Sequence, residues 1–261
     1  MKACVFHSPG NIKVEDLSIP EPRFGEVLLK TQAASICFSD VRVYRGEKHA
    51  NPKVVIGHEA SCVVVQVGKG VTAVEEGERV ALNPIVACGQ CYFCIRGKRN
   101  RCANRWTLGY QGNGVLSEYI LAPEELVSQG HLLKVPHHMS ADLAAMVEPF
   151  ACALYSLEVC QLTPGGSLAI IGAGPMGLIH LLIAKAMGCK NITVSDPLED
   201  RLSLARELGA TSTVNPSRDN LQQTILDATS GIGADASVVS VGNVGAIEAG
   251  LQVARKQGYV N

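Results

Sequence analysis

The stretch Gly172-Ala173-Gly174-Pro175-Met176-Gly177 restricts the possible folds of this chain more than any other. Such a glycine pattern is weak evidence alone. Here it follows the apolar run Ser167-Leu168-Ala169-Ile170-Ile171 and precedes a helical pattern through Leu178, Leu181, Ile183 and Ala186 to Gly188. Strand, glycine turn and helix in that order form the dinucleotide-binding unit of a doubly wound parallel sheet. The first two glycines allow a tight turn and close approach of a pyrophosphate, and the third lets helix pack on strand. The helix N-terminus offers free amides and a positive dipole end to the phosphates.

The next strand, Asn191-Ile192-Thr193-Val194-Ser195, ends in Asp196, close to the spacing at which an acid bonds an adenosine ribose 2′-hydroxyl. Its charge repels a 2′-phosphate, so NAD is expected rather than NADP. Arg201 pulls the other way, since an arginine nearby can neutralise the region or bind phosphate. Alone, Asp196 reads as a helix cap; after a glycine loop, ribose recognition is the better reading. Helices over 198–208 and 220–228 and strands over 212–214 and 235–239 continue the alternation, with another strand expected to start at Gly258. A complete sheet of this kind has six strands, so the nucleotide domain is expected to be incomplete at its C-terminal end.

From Val5 to about Val135 the pattern changes to short runs rich in Val, Ile and Leu, such as 26–30, 60–67 and 78–82. Turn chemistry at Gly68-Lys69-Gly70 and Glu76-Gly77-Glu78 separates them, which suggests a small barrel or sandwich. Within this half lies Cys88-Gly89-Gln90-Cys91-Tyr92-Phe93-Cys94, followed by Cys102. Four thiols at these gaps can converge tetrahedrally around Zn²⁺, and the lobe they clamp spans about 86–104. Four thiolates leave no open position, so this site is structural.

Two other groups carry chemistry, Cys37-Phe38-Ser39-Asp40 and Gly57-His58-Glu59. Singly, each reads as a buried thiol, a satisfied histidine or a solvated acid. Together they supply thiolate, imidazole and carboxylate, a mixture that suits an open catalytic zinc site. Ser39 could pass a proton from a metal-bound alcohol or simply stabilise a turn. Ser140 is a plausible N-cap for a helical run from Ala141 to about Val147, which Glu148-Pro149 should interrupt before a second run to about Cys160. Glu148 reads either as an exposed helix end or as a further metal ligand or base.

The 261 residues are 47% hydrophobic and 18% charged with net charge -1, enough to bury a core and too balanced for nucleic acid or an anionic membrane. No apolar run reaches membrane-spanning length, the N-terminus lacks a signal-peptide pattern, and ten scattered cysteines suggest a reducing, cytoplasmic setting.

These motifs, in this order, resemble the zinc-dependent medium-chain alcohol dehydrogenases, particularly the sorbitol, galactitol and threonine dehydrogenase branch. The resemblance implies a GroES-like β-rich catalytic domain (1–145) followed by a Rossmann domain (146–261), with the active site between them. It implies that Cys37 and His58 bind catalytic zinc, with Glu59 and Glu148 ligating it directly or through water, and that Asp40 orients His58. Gly172, Gly174, Pro175, Met176, Gly177, Asp196 and Arg201 would contact NAD, and Cys88, Cys91, Cys94 and Cys102 the structural zinc. Three residues depart from the family pattern: Phe38 and Cys62 stand at glycine positions, and Arg42 where a relay histidine is common. Phe38 and Cys62 imply a reshaped pocket wall or altered packing; Arg42 implies an altered relay or a substrate bearing carboxylate or phosphate.

The expected activity is hydride transfer from a small-molecule secondary alcohol (polyol, sugar-derived alcohol or hydroxy amino acid) to NAD, giving a ketone, in a homodimer or homotetramer. The alternatives are a threonine-3-dehydrogenase-type activity and a non-catalytic, truncated NAD- and zinc-binding relative. A zinc-free quinone reductase is disfavoured by Cys37, His58 and Glu148.

Overall fold

β-Branched runs separated by glycine turns become strands in the first of two units of the computed structural model, which describes residues 1–261. Five antiparallel strands lie in the spatial order Leu132–Lys134, Arg79–Leu82, Glu59–Val67, Val27–Ser35 and Tyr119–Ala122. Their inward faces bury Val27, Leu29, Val64, Val80, Leu82 and Ile120. The central pair, Val27–Ser35 with Glu59–Val67, shifts register at Leu28/Leu29 and again at Thr31/Ala33. Such bulges bend a sheet and increase its twist. A smaller sheet joins Asn11–Asp16, Lys2–Ser8 and Val54–Val55.

The second unit, Pro149–Asn261, is built on five parallel strands. Their order is Ser212–Val214, Asn191–Ser195, Ser167–Ile171, Ala234–Val239 and Ala254–Val260. Ser167–Ile171 is buried at every residue, as expected of a central parallel strand covered on both faces. The chain leaves it first toward Asn191–Ser195 and later toward Ala234–Val239, so the strand order reverses at its C-terminal end. Open parallel sheets bind ligands at such a switch point. Asp235 ties the centre together: its Oδ2 accepts from the Ser167 amide and hydroxyl, both at 2.8 Å, and its Oδ1 from Arg255 at 2.7 Å.

Two expectations need correction. The helix break falls at Met146, between Ala141–Ala145 and Val147–Val159, so Glu148 and Pro149 sit inside the first turn of the second helix. Proline is tolerated there because first-turn amides have no intrahelical partner to lose. The first compact unit runs from Met1 to Glu148. Helix Ala141–Ala145 packs on strands Val27–Ser35 and Glu59–Val67, and Ser61 Oγ donates to the Ala141 carbonyl at 2.8 Å. The last strand already runs from Ala254, paired with Ala234–Val239 through a register shift, and does not begin at Gly258.

Candidate active site

Cys37 caps helix Phe38–Tyr44, and its backbone amide donates to Asp40 Oδ2 at 3.0 Å. His58 follows Gly57, whose φ of +90° turns the chain into strand Glu59–Val67. These local devices bring Cys37, His58 and Glu59 together with their ligand atoms all within 4.8 Å of one another. His58 and Glu59 are each only 5% exposed. Glu59 Oε2 accepts a hydrogen bond from Ser35 Oγ, leaving its other oxygen for a metal. One thiolate, one imidazole and one carboxylate fit a zinc ion that keeps a position open for substrate.

Asp40 is 3% exposed and its Oδ1 lies 3.2 Å from His58 Nδ1. The oxygen makes no aligned hydrogen bond, so the approach is chiefly one of opposite charges. Burial works against the imidazolium, yet Asp40 and Cys37 together hold His58 up to about 10. A metal needs the neutral ring, so protons and zinc compete for it.

No sequence signal marks Tyr110, which the fold delivers to this site from the loop after Trp106–Thr107. Its phenol oxygen is 2.6 Å from Ser39 Oγ and 3.3 Å from His58 Nδ1, and Ser39 Oγ is 3.4 Å from His58 Nε2. Burial and the charges of Asp40, Cys37 and Glu148 all raise the Tyr110 pKa, against a lowering by Ser39, so the phenol stays protonated. Glu148 thus acts electrostatically on the same cluster.

The family departures separate. Cys62 is 1% exposed in the barrel core and is a packing residue. Phe38 is 64% exposed, with the Arg45 guanidinium 5.9 Å from its ring centroid. Arg42 pairs with Glu47 at 3.6 Å.

Cys88, Cys91, Cys94 and Cys102 form a second group. Sulfur separations are 3.5 Å (Cys91–Cys94), 3.9 Å (Cys91–Cys102) and 3.5 Å (Cys88–Cys102). A tetrahedron of zinc–thiolate bonds has edges of about 3.8 Å. The amides of Ala103 and Cys94 draw Cys91 down to about 6, while burial and the thiols of Cys91 and Cys102 push Cys94 up to about 12. Neighbouring thiols resist ionising together until a cation joins them, so the group fits a structural zinc.

In the second unit the three glycines divide their tasks. Gly172 has φ +101°, and a side chain there would meet Ser240 and Val241. Gly177 packs against the Gly172 carbonyl. Gly174 has an ordinary φ of -72° and nothing within 4 Å of an added Cβ. Neither backbone nor packing requires its bareness, which leaves the start of helix Pro175–Ala186 open, with no side chain capping its amides. That cradle fits a pyrophosphate. On one side lies a cavity of about 810 Å³ lined by Gly172, Asp196, Arg201, Asn220 and Val241; on the other, one of about 410 Å³ lined by Cys152, Met176, His180 and Val241.

Asp196 is 2% exposed and already engaged: Oδ2 accepts from the Ala173 amide at 2.8 Å and Oδ1 from the Leu198 amide at 2.9 Å. Arg201 approaches Oδ2 at 3.4 Å. The carboxylate therefore braces the glycine loop as well as facing the cavity.

Two family models match the chain, the alcohol dehydrogenase GroES-like domain over residues 23–150 and the zinc-binding dehydrogenase over 175–261. An L-threonine 3-dehydrogenase of Pyrococcus furiosus is 34% identical over 250 residues, covering 94% of this chain and 70% of that protein. A D-arabitol-phosphate dehydrogenase of Enterococcus avium is 37% identical over 264 residues, covering 99% and 74%. The crystal structure of an Escherichia coli alcohol dehydrogenase, RspB, complexed with NADH superposes with a TM-score of 0.89 at 33% identity, covering 100% of this chain and 75% of that one. The chain belongs to the zinc-dependent medium-chain alcohol dehydrogenases, with a GroES-like unit followed by a Rossmann-type parallel sheet. It is an alcohol and polyol oxidoreductase whose cofactors are zinc and NAD. No helix is long and apolar enough to cross a membrane.

Proposed function

We propose that this enzyme oxidises the secondary hydroxyl of a polyol, a sugar-derived alcohol or a hydroxy amino acid to a ketone, with Cys37, His58 and Glu59 holding the catalytic zinc. The convergence of those three donor atoms within 4.8 Å is the observation that carries the reading. Glu148, whose charge acts on Tyr110, is the candidate fourth ligand or holder of a displaced water. Bound zinc would supply Lewis acidity that eases deprotonation of the substrate hydroxyl, and bound NAD the hydride acceptor.

The chain's own residues do the rest. Ser39 accepts the substrate proton and Tyr110, hydrogen-bonded to it at 2.6 Å, extends the relay. Asp40 keeps the His58 ring oriented from the far side, as metal-bound imidazoles require. Gly172, Gly174, Pro175, Met176 and Gly177 form the turn and helix start that receive the pyrophosphate. Asp196 takes the adenosine ribose and disfavours a 2′-phosphate, with Arg201 at the rim of the same cavity. Cys88, Cys91, Cys94 and Cys102 hold the second zinc. Small-molecule alcohols in this reading include threonine, since relatives carry that name. The four-thiol lobe suits a reducing cytoplasm, and the likeness to the family suggests a homodimer or homotetramer.

Metal analysis of wild type and Cys37→Ser, with NADH fluorescence titration and NAD reduction on a panel of polyols and threonine, tests the proposal. The expected result is two zinc ions falling to one in the variant, with turnover lost and NADH binding kept. An unchanged zinc complement in Cys37→Ser would reject the assignment, and NADH binding without turnover of any alcohol would favour a non-catalytic relative.

A further inference from the structure

Helix Phe38–Tyr44, the segment after it and the loop at Arg105 supply several cations, and most are otherwise employed. Arg42 is paired with Glu47 at 3.6 Å, Arg45 lies over the Phe38 ring, and Arg105 donates to the Asn100 carbonyl. Lys48 differs. It is half-buried, its Nζ sits 3.9 Å from the Tyr110 ring centroid, and it pairs with no carboxylate. Burial lowers its pKa against the raising charges of Cys37 and Asp40, and the ring it covers carries a hydroxyl 3.3 Å from His58 Nδ1. Its backbone is fixed too, with the Lys48 amide donating to the Arg42 carbonyl at 3.2 Å.

A partly desolvated ammonium with no carboxylate in direct contact costs free energy that a cation–π contact offsets only in part. Tyr110 links this cation to the reaction, because its hydroxyl bonds Ser39 while its ring face carries Lys48. A neutral polyol can offer such a charge only hydroxyl acceptors, which bind it less strongly than a charged acceptor does. An anionic group on the substrate would complete the pair, with Arg42, Arg45 and Arg105 adding to the local positive potential.

Resting on the dehydrogenase reading above, we propose that the substrate is a secondary alcohol carrying an anionic group, a phosphate ester or a carboxylate, which Lys48 binds while the hydroxyl faces Cys37, His58 and Glu59. Lys48 is then the residue that distinguishes charged from neutral alcohols at this site.

The test uses the zinc-loaded protein and matched ligands: a hexitol, its monophosphate and the corresponding aldonate. Binding is measured by calorimetry and turnover by NAD reduction, for wild type, Lys48→Met, Lys48→Arg and the remote control Lys69→Met. One anionic ligand should bind at least about tenfold more tightly than the neutral hexitol, the size of one charge-assisted hydrogen bond. The phosphate and aldonate arms identify which anion it is. Lys48→Met should abolish that preference, Lys48→Arg should retain most of it, and Lys69→Met should match wild type. Equal binding of all three ligands, or a preference that survives in Lys48→Met, overturns the inference. Turnover of the neutral hexitol without anion preference leaves the dehydrogenase reading standing and removes this one.

Discussion

A side chain on Gly177 would run into the carbonyl oxygen of Gly172, whereas one on Gly174 would meet nothing at all. The two positions look alike in the glycine motif but answer to different demands, one internal and one external. Gly177→Ala should therefore destabilise the second unit by about 2 kcal/mol, the usual cost of overpacking. Gly174→Ala should fold normally and weaken NADH binding by about tenfold. Thermal unfolding and NADH fluorescence titration of both variants check this; a Gly174→Ala protein with wild-type NADH affinity would remove the cradle argument.

Tyr110 connects Ser39 to His58 through its hydroxyl. Tyr110→Phe should lower kcat by about 10²-fold, at the low end for a lost proton-transfer group, while both zinc ions stay bound. The readout is kcat against pH alongside metal analysis. A full zinc complement with unchanged kcat would show that the hydroxyl only packs.

The four-thiol lobe should separate from catalysis in its metal dependence. Cys94→Ser should lose one zinc and open the lobe to proteolysis between Cys88 and Cys102, because little apolar packing holds that segment beyond Ala87 and the cysteines themselves. Limited proteolysis with mass mapping tests this. Cleavage at the same rate in wild type and variant would argue that the lobe is held without metal.

Asp235 ties Ser167 to Arg255 and gives the second unit an acid-sensitive joint. Burial would raise its pKa, but Arg255 and Ser167 outweigh this and hold it below the usual value. A depressed pKa contributes stability above the unfolded value of about 3.9, and loses it as pH falls through the folded one. Because both side chains are partly exposed, the contribution is about 1 kcal/mol after screening. Asp235→Asn should lower the urea midpoint at pH 7, and the difference from wild type should shrink as the pH falls below the usual carboxylate range. Parallel curves across that range would contradict the linkage.

Much of this was readable in the residues. Glycine spacing beside an apolar strand fixed the parallel sheet, because only that geometry makes use of all three glycines. Cysteine spacing anticipated the four-thiol cluster for a similar reason, since residues close in sequence converge by local turns. The helix break near Glu148 was misplaced because proline was read as an interruption, although a first helical turn accepts it.

Cys37, His58 and Glu59 could be suspected from their donor types alone, but only folding brings them within bonding reach of one ion. Tyr110 and Lys48 had no signature. Each gains its meaning from the partner it meets in space, the Ser39 hydroxyl for one and the Tyr110 ring face for the other. Local sequence determined the loops and caps, whose energetics lie within a few residues. The tertiary structure decided the Ser39–Tyr110 hydrogen bond and the seat of Lys48 on the Tyr110 ring, because both depend on contacts between segments far apart in the chain.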